Sequence, residues 1–215
     1  MTFSIVAWDP ENQSLGIAVT TCFFGVGALV PHLRSGLGAF ATQALANPHL
    51  GIKGLDRLAQ GASPQEALCP ELKSDQGSEL RQVHGIDVFG RTWAWTGNKT
   101  EEWSGHVKGD NFSIAGNMLV GEQVLTSCSK AMEDNHHHPL EECLLEALMA
   151  GEHVGGDKRG KQSAALITAT NQPFPYCNLR VDDHPDPLKE LKRLLSEFRK
   201  SYYQNFLKMI PSETY

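Results

Sequence analysis

The sequence predicts an α+β fold in which layers of helices pack on antiparallel sheets. Three observations carry this. Strand-like runs come in adjacent pairs joined by turn residues, at 3–8 with 15–21 and at 83–89 with 92–95. Helical spacing also comes in pairs, over 50–72 and over 121–150. The two kinds of run are grouped, whereas a parallel sheet would need regular βαβ alternation. With 215 residues, 40% of them hydrophobic and 20% charged, the chain buries enough apolar surface to form one domain over 1–215, ending in a C-terminal helix and tail at 187–215.

Charge and composition remove several function classes. A net charge of −6 opposes binding to a phosphate backbone, so nucleic acid is not an expected partner. No run approaches the ~18 apolar residues of a membrane span. The N-terminus has neither a basic segment nor an apolar one with a cleavage site, which predicts a cytoplasmic protein. The five cysteines, Cys22, Cys69, Cys128, Cys143 and Cys177, are scattered and form no Cys-x-x-Cys pair, so neither a disulfide framework nor a zinc knuckle is expected.

In chain order, Asp9-Pro10-Glu11-Asn12-Gln13 turns the first strand into the second. Val26 to Val30 and Leu37 to Thr42 are two more β-like runs, separated by Pro31 and Gly36. Leu50, Leu55 and Leu58 mark one helix, and Ala67, Leu68 and Leu72 a second, opened by Ser63-Pro64-Gln65-Glu66. Ser63 caps this helix, Pro64 takes its first position and Glu66 closes a capping box. After the second strand pair and a short strand at Phe112 to Ala115, helices are expected from Gly121 to Met132 and from Pro139 to Ala150, with Gly151 as a stop. Strands at Ser163 to Thr170 and Asn178 to Asp182 precede an amphipathic helix carrying Leu188, Leu191, Leu194, Leu195 and Phe198.

The chemistry begins at Thr2, directly behind Met1. As a β-branched residue it suits a strand whatever its function. Removal of Met1 would place a hydroxyl and an α-amine on one residue. That amine, with an unperturbed pKa of about 7.7–8.0, is a base close to neutrality and could take the hydroxyl proton as the oxygen attacks a carbonyl. Three polar, glycine-containing stretches accompany it: 115–119, 155–163 and 181–187. The second has Gly155, Gly160 and Lys161 at Walker spacing. Gln162 replaces the metal-binding hydroxyl, however, and a helix precedes this loop while a strand follows it, the reverse of a phosphate loop. It reads better as a turn bringing Asp157, Lys158 and Arg159 to a strand edge, where a cation would favour a neutral amine. Asn117 carries the carboxamide donor of an oxyanion hole, or is a plain turn residue. His136-His137-His138 lie adjacent on a polar loop, cannot easily converge on one ion, and are assigned no ligand role.

These stretches, with Phe23-Phe24, Val26-Gly27, Val30-Pro31, GLGAFATQALAN at 36–47, Trp103, Gly105-His106, Gly116-Asn117-Met118-Leu119, GGDKRGKQSAAL at 155–166 and LRVDDHPDP at 179–187, resemble the family of domain of unknown function 1028. Cys22 and His32 depart from it, standing where a basic and an aromatic residue are usual. The resemblance implies an N-terminal-nucleophile (Ntn) hydrolase-like fold, a four-layer α-β-β-α sandwich with two antiparallel sheets between helix layers. It also implies Thr2 as nucleophile, amide C–N hydrolysis of a small or peptide-like substrate, no metal or organic cofactor, and a homodimer or higher homo-oligomer. The expected roles are Thr2 as nucleophile and base, Asn117 as oxyanion donor, and Asp157 with Arg159 as groups positioning the amine. Gln43, His106, Gln162, Arg180, Asp183 and His184 are candidates for substrate contact. Two other readings stand beside this one: an inactive module that keeps the fold for ligand binding or oligomerisation, and a metal hydrolase using Asp182, Asp183, His184 and His106. Asp182, Asp183 and His184 also suit a plain helix cap.

Overall fold

The computed structural model describes residues 2–211. Met1, whose removal the Thr2 hypothesis requires, and residues 212–215 of the expected tail lie outside the described residues. Strands β1 (Thr2–Asp9) and β2 (Ser14–Thr21) form the expected hairpin, pairing from Thr2 with Thr21 to Asp9 with Ser14. Its turn is held by the Asp9 carboxylate, which accepts the backbone N–H groups of Glu11 and Asn12 at 3.0 and 3.1 Å. The hairpin is the centre of a six-stranded antiparallel sheet. Strand β8 (Phe112–Asn117), edged by β7 (Gly105–Gly109), lies beside β1; β9 (Ser163–Ala169), edged by β10 (Cys177–Val181), lies beside β2.

Side-chain alternation along β1 decides what each face of this sheet meets. Phe3, Ile5 and Ala7 pack with Val124, Leu125 and Cys128 of helix α3 (Gln123–Asp134) and with Leu144 and Leu148 of α4 (Leu140–His153). Val6 points the other way, into a second cluster with Ile17, Val19, Ala39, Ala41 and Ile86. The last three belong to a four-stranded antiparallel sheet ordered β3-β4-β5-β6: β3 (Pro31–Arg34), β4 (Gly38–Ala44), β5 (Arg81–Asp87) and β6 (Thr92–Thr96). Phe40 and Val83 of this second sheet meet α1 (Pro48–Leu58) and α2 (Pro64–Ser74) through Leu50, Leu55 and Leu68. Ser63 and Glu66 form the predicted capping box at α2. Helix α5 (Pro187–Phe198) lays Leu188, Leu191, Leu195 and Phe198 against the first cluster, and a short α6 (Ser201–Leu207) follows.

The structure corrects several boundaries. Val26 to Val30 is no strand: Val26–Ala28 is a 3-10 turn entered through Gly25, at φ 64°, and the Val26 N–H goes to the Ser163 hydroxyl at 3.1 Å instead of to a neighbouring strand. Pro31, expected to separate two runs, starts β3, an edge strand, where its missing N–H costs nothing. Gly151 does not stop α4, which runs on to His153. The absence of a side chain there lets the helix approach Cys128 and Phe3, whose atoms would stand 2.5 and 3.0 Å from a Cβ.

Candidate active site

The pairing of β1 with both neighbours places Thr2 between Thr21 and Asn117, at the end of the central strands. Thr2 Oγ1 and Thr21 Oγ1 lie 3.1 Å apart and share a hydrogen bond. Thr2 is 8% exposed, and that exposed surface belongs to a cavity of about 470 Å³. Thr21, Gln43, Asn117, Met118 and Arg159 line the cavity around it. Two of the strands that bring residues to it, β4 and β8, lead into left-handed backbone at a non-glycine residue: Ala44 after Gln43, at φ 65°, and Met118 after Asn117, at φ 54°. Such conformations are uncommon outside glycine and cluster at functional sites.

Below Thr2, the space between the sheets is polar where the rest of it is aliphatic. Gln82, fully buried on β5, is the hub: its Oε1 accepts from Gln43 Nε2 at 2.8 Å and from Asn117 Nδ2 at 3.0 Å. Its Nε2 donates to the carbonyls of Gly116 and Gly105 and to Thr96 Oγ1, at 2.8, 3.0 and 3.0 Å. Asn117 thereby aims its remaining amide hydrogen at the Thr2 carbonyl, with Nδ2 3.5 Å away, while Gln43 Nε2 donates its other hydrogen to the Ala115 carbonyl at 3.1 Å and stands 3.5 Å from the Thr2 carbonyl. Gln43 Oε1 accepts from Ser4 Oγ at 2.5 Å, and Ser4 Oγ meets His84 Nε2 at 2.8 Å. Because the Ser4 proton goes to Gln43, His84 must donate through Nε2. Burial, reinforced by His106, holds the pKa of the ring down to about 3 and so keeps it neutral. In the neutral ring Nδ1 accepts from Ser113 Oγ, 3.1 Å away.

The glycine-rich loop closes one side of the site. Gly155, Gly156 and Gly160 all take positive φ, which folds 155–160 back against the ends of β2 and β8. Buried Asp157 accepts the N–H of Cys22, one residue beyond Thr21, at 2.9 Å through Oδ2, and the N–H of Arg159 at 2.8 Å through Oδ1. Arg159 Nη2 lies 3.4 Å from Asp157 Oδ2 while its side chain lines the cavity. Asp157 thus shapes the loop that presents Arg159.

Of the residues singled out from sequence, Thr2, Gln43, Asn117 and Arg159 come together at one cavity, with Asp157 directly behind Arg159. The others lie outside its lining. Gln162 donates its N–H to the Thr21 carbonyl at 2.9 Å and its Nε2 to Asp183 at 3.1 Å, linking β2 to the segment before α5. His184 Nδ1 accepts the Asp186 N–H at 2.9 Å, and Asp186 caps α5 by accepting from Lys189 N. Arg180 pairs with Asp182 at 2.8 Å. His106, on the edge strand β7, shares a hydrogen bond with Thr96 of β6. His32, one of the two departures, packs on Gly51 of α1 and is absent from the cavity wall. Among the described residues, no group of three or more His, Cys, Asp or Glu is placed to hold a metal ion. Sequence reasoning missed Thr21, Ser4, Gln82 and His84. The hairpin register, counted out from its turn, would have placed Thr21 opposite Thr2. The other three look like ordinary strand residues until the second sheet is laid over the first.

A family of unknown function, DUF1028, matches the chain over residues 2–191. A crystal structure of a Silicibacter pomeroyi protein described by the same family is 31% identical and superposes with a TM-score of 0.92, covering 98% of this chain and 91% of that one. Two Anbu (ancestral beta-subunit) structures align over the full length of both chains at 11% identity. One is from Yersinia bercovieri, at a TM-score of 0.44, and the other is a Gly-1 mutant from Hyphomicrobium sp. strain MC1, at 0.47; similarity of that order does not establish a common fold. No protein of curated function matches the chain. With nearly its whole length matched in sequence and the same architecture as the S. pomeroyi protein, the chain belongs to the family of unknown function DUF1028.

Proposed function

We propose that this chain is an N-terminal-nucleophile hydrolase, a four-layer α-β-β-α sandwich that cleaves the C–N bond of a small or peptide-like amide once Met1 has been removed. One observation carries the proposal: Thr2, next to the initiator position, lies on the floor of a cavity in a central strand, with its hydroxyl held by Thr21 and its carbonyl approached by two buried carboxamides. The layering is supported by three apolar clusters, one between α3/α4 and the larger sheet, one between the sheets and one between the smaller sheet and α1/α2.

In this reading the freed α-amine takes the Thr2 hydroxyl proton as Oγ1 attacks the carbonyl, then passes it to the departing nitrogen. Water cleaves the resulting ester. Asn117 is the oxyanion donor: one amide hydrogen is committed to Gln82, while the other points toward Thr2 O, with Nδ2 3.5 Å away at the limit of a hydrogen bond, and is open to a stronger acceptor brought up beside it. Asp157 holds Arg159 at the cavity wall, where its charge favours the neutral amine.

The test is the intact mass of untagged protein before and after treatment with a β-lactone. Absence of Met1 together with a single adduct that Thr2→Ala abolishes is the expected result. Full retention of Met1 with no adduct refutes the proposal and leaves the inactive ligand-binding module as the better account.

A further inference from the structure

Phe23, Leu29, Leu45 and Leu80 keep 57, 42, 57 and 39% of their surface exposed, and all four line the cavity over Thr2. Two of them are tied side by side, since the Leu45 N–H donates to the Leu80 carbonyl at 3.2 Å. Leu45 follows Ala44, whose left-handed backbone turns the chain off the end of β4 just above Gln43. An exposed apolar wall of this kind marks a binding surface more often than an accident of packing. Its shape points to a small molecule, because about 470 Å³ lies within the roughly 300–1,000 Å³ of small-molecule sites. Uncharged polar groups are gathered at the floor, around Thr2, Thr21 and Asn117, while Lys99, Glu101 and Arg159 are exposed charged residues of the lining.

Building on the hydrolase reading above, we infer that the substrate is an amide with an apolar acyl group, a medium-length alkyl or arylalkyl chain seated against Phe23, Leu29, Leu45 and Leu80 with its carbonyl at Thr2. The Thr2 oxygen bonds to the carbonyl carbon as the C–N bond breaks, and the hydroxyl proton travels by the α-amine to the leaving nitrogen. The apolar chain stays in place as the Thr2 ester. Water then splits that ester, releasing a carboxylic acid and restoring the hydroxyl.

The experiment compares two β-lactones, one unsubstituted and one bearing a hexyl chain, on protein freed from an N-terminal fusion so that Thr2 is its first residue. Labelling rates are read by intact mass and divided by the rates of the same lactones with threonine methyl ester. The expected result is a preference for the hexyl lactone of about tenfold or more, since each buried methylene favours binding. That preference should collapse toward one in Leu45→Asp and Leu80→Asp, or in the milder Leu45→Ala if the aspartates unfold the protein. Equal labelling of Thr2 by both lactones overturns the inference and leaves the hydrolase reading intact. A preference that survives these substitutions also overturns it, as does a dimer that Leu45→Asp splits while the parent labels equally with both, which would make the wall an interface between copies. Failure of both lactones to label Thr2 refutes the hydrolase reading itself, and the inference with it.

Discussion

Thr2 and Thr21 face each other across β1 and β2 with their hydroxyl oxygens 3.1 Å apart, both at the cavity floor. A hydroxyl so held spends less time in rotamers turned away from a bound carbonyl. Thr21→Val keeps the shape and the β-branch and removes only the oxygen. Its expected effect is a fall of about three- to tenfold in the rate of Thr2 labelling by a β-lactone, the equivalent of one hydrogen bond of about 1 kcal/mol, with little change in melting temperature. An unchanged rate would mean that Thr21 does not orient the Thr2 hydroxyl.

Gln82 carries a heavier structural duty. Its carboxamide serves Gln43, Asn117, Thr96 and two backbone carbonyls, and the bonds to Gln43, Asn117 and Gly116 are buried, with no solvent to replace them. Gln82→Leu is nearly isosteric yet leaves several buried polar groups without this partner, at about 1–3 kcal/mol for each one that finds no other. A loss of at least about 3 kcal/mol in urea unfolding is expected. Gln82→Glu should also destabilise, because both carboxamides that donate to Oε1 remain satisfied but the donors to Gly105 and Gly116 disappear and a charge is buried.

How much of this was legible in the sequence follows from which contacts are local. Ser63 and Glu66 are three residues apart and announce α2 by themselves. The β1–β2 hairpin is set by five consecutive turn residues, and the helix faces by leucine spacing. The site is different in kind. Thr2 and Asn117 were legible as chemical types, and the loop at 155–163 as an oddity of composition. Ser4, Gln82 and His84 became functional candidates only because β5 of one sheet lies over β1 and β8 of the other, a pairing that no local pattern encodes. Strand β7 escaped notice because Gly105-His106-Val107-Lys108-Gly109 has a single apolar residue; it is an edge strand and needs no apolar face. The Asp182-Asp183-His184 segment looked chemical and is placed instead as the approach to the α5 cap.

Gly151 sets two effects against each other. In an exposed helix, Gly→Ala gains about 1 kcal/mol from backbone entropy. Here the new methyl would stand 2.5 Å from Cys128 Sγ and 3.0 Å from the Phe3 ring, with Val124 at 3.3 Å. Overpacking in a rigid core costs about 1–3 kcal/mol, so Gly151→Ala should lower stability by about 1 kcal/mol or more. A rise in melting temperature would show that α4 can move away from the sheet at little cost.

The last prediction concerns His84, which is neutral in the fold, with its pKa held down to about 3 against an ordinary 6.5 by burial between Ser4 and Ser113. Between those values the unfolded chain binds a proton that the native ring refuses. Stability contributed by this group is therefore complete above pH 6.5 and is lost as pH falls toward 3, at up to about 1.4 kcal/mol per pH unit. His32, lowered by burial, and His106, lowered by its surroundings and Lys108, lean the same way but are less deeply enclosed. Asp75, held near 2 by Arg81, adds acid sensitivity only below its ordinary 3.8. The window from pH 6.5 to 4 is thus mainly histidine territory. Urea unfolding of the parent should show stability falling steadily across it, and His84→Gln, which carries no titrating group, should start lower at pH 7 but show a visibly shallower slope. Equal slopes would mean that His84 is not kept neutral in the fold; Nδ1 would then donate to Ser113, while the order from Nε2 through Ser4 to Gln43 would stand.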